Sequence, residues 1–125
     1  MLKDIGNRSD LQLLMETFYA KALKDELIQH YFNDVAKINM EKHLPIIVDF
    51  WESVLFETPI YKGNVMAVHQ QLHQQSPFVQ AHFNQWLLLF QQTTDDLFAG
   101  DMAEKIKQRA YSIATVISLK TIYKT

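Results

Sequence analysis

His69 and His73 stand four residues apart, a spacing that sets two imidazoles on one face of a helix, roughly 6 Å apart along its axis. A pair of this kind can chelate one zinc ion, but the metalloprotease version has a glutamate directly after the first histidine, and here Gln70 occupies that place. The plainer reading is two polar residues on a partly exposed helix, and the pair alone does not choose between them. The 125 residues include no cysteine, which excludes a disulfide framework, thiolate zinc, iron–sulfur ligation and a cysteine nucleophile. Metal chemistry therefore falls to five histidines and the carboxylates. Asp95-Asp96, Glu41 and Glu52 read as solvated faces or helix-end charges, and no Gly-rich phosphate loop or nucleophile elbow is present.

Two further residues carry polar atoms within apolar surroundings. Tyr19 and Trp86 lie among hydrophobic neighbours, and each has a donor that needs a partner when buried. Taken singly, each is core filler. Taken with a histidine pair and abundant aromatics, they match the needs of a planar cofactor that takes one axial imidazole, hydrogen-bond donors and apolar walls. Haem is such a cofactor.

The elements that position these residues are helical. Ser9 reads as an N-cap with Gln12 completing a capping box, and Leu11, Leu14, Met15, Phe18 and Ala22 follow at helical spacing. Tyr19 lies at the edge of that face, and His30-Tyr31-Phe32 falls in the connection that follows. A second helix starts near Asn39 and carries His43, Ile47, Phe50, Trp51 and Leu55 to Thr58-Pro59. Pro45 lacks an amide donor, so the regular part is expected from about Leu44. Asn64 caps a short segment, Val65 to His73, after the Gly63 turn. Ser76-Pro77 predicts the next helix start, with Phe83, Trp86, Leu87 and Phe90 inside it and Gly100 ending it. Asp101 and Glu104 launch a last helix with Ile106, Ala110, Ile113 and Ile117 on one stripe.

Four substantial helices and one short one make an all-α chain, expected to be a single domain over residues 1–125 because domains commonly run to roughly 100–150 residues. With 48% hydrophobic and 12% aromatic residues it fills a core rather than remaining disordered. Twelve basic and 14 acidic side chains leave no electrostatic footprint for nucleic acid. The longest apolar clusters, Leu44 to Val48 and Trp86 to Phe90, are far too short for a signal peptide core or a membrane span. A cytoplasmic, soluble protein is expected.

From about Leu11 to Ile117 the sequence resembles the group III truncated haemoglobins. The resemblance rests on Phe18-Tyr19, on Tyr31-Phe32-Asn33, and on His43 followed by Asp49-Phe50-Trp51-Glu52. It continues through Tyr61-Lys62-Gly63-Asn64 leading to His69, His82-Phe83-Asn84-Gln85-Trp86-Leu87 with Phe90, and Arg109-Ala110. It implies a truncated globin-like 2-over-2 helical sandwich enclosing haem b, with His69 as the iron ligand. The 26-residue interval from His43 to His69 agrees with the family's separation of distal and proximal histidines. Tyr19 and Trp86 would then donate to the gas ligand, with His43 beside it as a further donor, a gate to entry or an iron ligand itself, and Phe32, Ile47, Phe50, Met66, Leu72 and Phe83 would wall the haem. Tyr61, Lys62 and Arg109 are open to propionate contact or plain solvation, His73 to solvent or a propionate, and His30 and His82 keep plain readings.

The function so implied is reversible binding of a diatomic gas: oxygen by the resemblance, with nitric oxide and carbon monoxide also suited. An enzymatic alternative, peroxidase-like or nitric-oxide-detoxifying, uses the same residues and needs a separate reductase. A cofactor-free helical interaction module accounts for the apolar stripes but leaves Tyr19, His43, His69 and Trp86 without a shared purpose.

Overall fold

A computed structural model describes residues 1–124, all helix and connection, with no strand among them. The elements are α1 (Arg8–Ala22), a π-helical turn (Tyr31–Val35), α2 (Met40–Phe56), α3 (Val65–Gln75), α4 (Gln80–Leu97) and α5 (Asp101–Thr121). Helix α1 packs against α2 and α4, and α5 packs against α4, α3 and α2. The α1–α2 pair thus lies over the α4–α5 pair as a 2-over-2 sandwich, with α3 docked on α5.

Helix starts follow capping chemistry that in three places differs from the sequence expectation. Asn7, not Ser9, caps α1: its side-chain oxygen accepts from the Asp10 amide at 3.0 Å. The Asp10 carboxylate in turn accepts from the Gly6 amide and the Lys3 ammonium, both at 2.8 Å. Helix α2 begins at Met40 under the Asn39 cap and runs straight through Pro45. The donor that Pro45 lacks would have served Glu41, and both residues are exposed, so water can satisfy the orphaned carbonyl.

Ser76-Pro77 starts no helix. The Ser76 amide instead closes α3 on the Leu72 carbonyl at 2.8 Å, and the Tyr31 hydroxyl donates to the Pro77 carbonyl at 2.9 Å. With both groups engaged elsewhere, α4 starts only at Gln80, where the Val79 amide donates to His82 Nδ1 at 3.0 Å.

For α5 the cap comes from the far end of the chain. The Asp4 carboxylate accepts from the amides of Met102 and Ala103, each at 2.9 Å. Gly100 precedes the helix at φ 140, a left-handed backbone, and a side chain there would lie 2.5 Å from Asp4 Cγ. Asp101 is accordingly the first helical residue rather than the cap.

Burial divides into two apolar clusters. The larger joins Leu11, Leu14 and Phe18 of α1 to Trp51 and Leu55 of α2, Phe90 of α4 and Ile106 of α5. Phe90 is its centre, with Trp51 at 5.0 Å, Trp86 stacked at 5.2 Å and Phe18 edge-on at 5.6 Å. The smaller joins Tyr31, Phe78, Phe83, Ala114 and Ile117. Helix α3 packs along the smaller cluster but fully buries none of its 11 residues.

Candidate functional site

A cavity of about 450 Å³ lies where the two clusters meet and draws its wall from both. Its size falls within the roughly 300–1,000 Å³ of small-molecule sites. Four polar side chains singled out in the sequence border it, one from each of four helices: Tyr19 of α1, His43 of α2, His69 of α3 and Trp86 of α4. Of the six expected wall residues, Phe32, Ile47, Phe50, Leu72 and Phe83 border it as well. Met66 does not. It sits three residues before His69, and its half-buried side chain packs against the smaller cluster instead.

His69 is held in a defined tautomer. Its Nδ1 donates to the Val65 carbonyl one turn back, at 2.8 Å, leaving the Nε2 lone pair as its free ligating position. Burial pushes the ring below the ordinary histidine pKa and outweighs the opposing effect of that hydrogen bond, so the imidazole stays neutral. His73 is engaged differently. Its Nδ1 accepts from the Phe78 amide at 2.9 Å, its ring stacks on Phe78 at 5.7 Å, and it does not border the cavity. The two imidazoles therefore do not act as a chelating pair, and the described residues contain no group of three or more side chains able to hold a metal ion by themselves.

Tyr19 is 6% exposed and meets Phe18 at 5.2 Å, Phe32 at 5.5 Å and His43 at 5.9 Å, each edge to face. Burial drives its phenol pKa far above the usual value, so the hydroxyl remains a donor at any physiological pH. Among the described residues neither this hydroxyl nor the Trp86 indole N–H has a hydrogen-bond partner, and neither is sealed away without one, because both side chains border the cavity. Burial also lowers the pKa of His43 and favours its neutral form.

The sequence reading missed a whole wall. Ile113, Ala114 and Ile117 of α5 border the cavity, as do Phe78, Tyr31 and His82. The α5 stripe was visible at helical spacing, but such a stripe reads as core, and nothing local distinguishes a residue facing a cavity from one facing another helix. Lys62 and Arg109 are exposed and do not border the cavity, whereas Tyr61 does.

An all-α 2-over-2 sandwich with an apolar cavity between its helix pairs and a neutral histidine on a short helix is the architecture of a truncated globin. No family model matches the chain. The group 3 truncated hemoglobin ctb of Campylobacter jejuni is 32% identical over 112 residues, which cover 87% of this chain and 86% of the relative. The crystal structure of the group III truncated hemoglobin from Campylobacter jejuni superposes with a TM-score of 0.83 at 31% identity, over 94% of this chain and 92% of that one. The chain belongs to the group III truncated haemoglobins.

Membership implies a haem cofactor, and the residues present fit one. The wall is aromatic and aliphatic, the neutral His69 has its Nε2 free, and the unpartnered donors belong to other helices.

Proposed function

We propose that the protein binds haem b through His69 and reversibly binds a diatomic gas, oxygen foremost, in the cavity beside Tyr19, His43 and Trp86. The observation that carries this reading is the state of His69. Its Nδ1–H is committed to a backbone carbonyl and its ring is kept neutral, the form in which imidazole ligates iron. Bound there, haem would supply an iron able to take up and release the gas. The chain supplies everything around it. Phe32, Ile47, Phe50, Leu72 and Phe83 give the cavity an apolar lining. Tyr19 keeps a proton on its hydroxyl and Trp86 one on its indole nitrogen, two donors in a low-dielectric space where hydrogen bonds to a polarised ligand are strong.

Haemin titration followed by absorbance tests the reading. The wild-type protein should take up one equivalent and develop a Soret band, and after reduction it should shift on adding carbon monoxide. His69→Ala should lose the histidine-ligated spectrum and His73→Ala should keep it. A wild-type protein that stays colourless with haemin removes the haem reading, and the reverse result for the two variants removes His69 as the ligand.

A further inference from the structure

The loop between α2 and α3, residues 57–64, is exposed at every position except Tyr61. One hydroxyl turns that residue inward. Ser53, on α2, donates from Oγ to the Asp49 carbonyl at 2.8 Å and accepts from the amides of Ile60 at 3.1 Å and Tyr61 at 2.8 Å. A serine hydroxyl has one proton and two lone pairs, and all three are used. The clamp pins the Tyr61 backbone to the side of α2 one turn beyond Phe50. The Tyr61 ring meets Phe50 edge to face at 5.2 Å, and both rings border the cavity.

Gly63 makes room for this arrangement. Its backbone is ordinary, but a Cβ there would run into the Tyr61 phenol, lying 2.5 Å from Cζ and closer still to the hydroxyl. A methyl group at 63 therefore displaces the ring. Ser53, Tyr61 and Gly63 form one device whose only inward part is a ring at the cavity wall.

We propose that Ser53 is a positioning residue that holds the Tyr61 ring as a stopper over the cavity, so that loss of the apolar occupant requires breaking the clamp. The inference rests on the haem reading for the identity of that occupant. It assigns the retaining work to the ring rather than to the phenolic hydroxyl.

The test is the rate at which haemin-loaded protein loses haemin to an excess of a scavenging apoglobin. Ser53→Ala, Tyr61→Ala and Gly63→Ala should each speed release about tenfold, the size expected when two backbone hydrogen bonds or the ring they position are lost, with the histidine-ligated spectrum unchanged. Tyr61→Phe should release at close to the wild-type rate. The double variant Ser53→Ala/Tyr61→Ala should be no faster than Tyr61→Ala alone, because a clamp without its ring has nothing to hold. Wild-type release from Ser53→Ala, additive effects in the double variant, or release from Tyr61→Phe as fast as from Tyr61→Ala would each overturn the proposal. If the wild-type protein takes up no haemin, the haem reading fails by itself. Amide exchange at Ile60 and Tyr61 then decides the clamp: faster exchange in Ser53→Ala supports it and unchanged exchange refutes it.

Discussion

Tyr19 shows how a single side chain acquires a task from its surroundings. Its ring is packed by Phe18, Phe32 and His43, its ionisation is suppressed by burial, and its hydroxyl is left to the cavity. Replacing it with phenylalanine removes the donor while keeping the packing. Tyr19→Phe should therefore speed oxygen dissociation about tenfold or more, the effect of one lost hydrogen bond to a charged acceptor, as read by stopped-flow absorbance. An unchanged rate would mean that the tyrosine does not touch the ligand. Tyr19, His69 and Trp86 stood out in the sequence as polar residues in an apolar chain, the family resemblance added His43, and all four border the cavity. Met66, expected in the wall, does not border the cavity. An apolar residue near a histidine carries no mark of which side of its helix it faces, and only its packing against the smaller cluster decides it.

At the level of elements, apolar stripes located α1, α2, α4 and α5 and the Asn64 cap located α3, while the starts of α4 and α5 depended on contacts remote in sequence. The start of α4 was set by Tyr31 capturing the Pro77 carbonyl from 46 residues away, which no local pattern announces. Two non-glycine residues adopt left-handed backbone, Lys37 at φ 51 in the connection before α2 and Glu57 at φ 58 at its C-terminal end. Glu57 is doubly unsuited to its place. The conformation crowds its Cβ, and its negative charge faces the negative end of the helix dipole. Glu57→Gly should stabilise the protein by about 0.5–1 kcal/mol in urea denaturation, after the entropy that glycine adds to the unfolded chain is deducted. Glu57→Ala, which removes only the charge, should gain less.

For the whole molecule, the N-terminal residues act as a clasp. Asp4 joins the first turn of α5 across 98 residues of sequence, Ala99 donates to the Lys3 carbonyl at 2.9 Å, and Ile5 is buried in the larger cluster. Burial works against the Asp4 charge, but the amides of Met102, Ala103 and Ile5 together outweigh it and hold its pKa below the usual 3.8. A depressed carboxylate contributes stability that is present above its unfolded value and is lost as pH falls through the lower folded value. Asp4→Ala should thus cost about 1 kcal/mol near neutrality, the typical value of a helix cap. The gap to wild type should narrow below about pH 4; a pH-independent gap in thermal unfolding would exclude the charge as its source. Helix α3 has no comparable anchor. It presents His69 yet completely buries none of its side chains, so among the helices its local opening costs least. Its amides are expected to exchange before those of the other four helices in a hydrogen-exchange measurement, and on the proposed haem reading a flat, rigid disc would enter where α3 lifts from an otherwise assembled body. Cofactor capture would then follow folding instead of directing it.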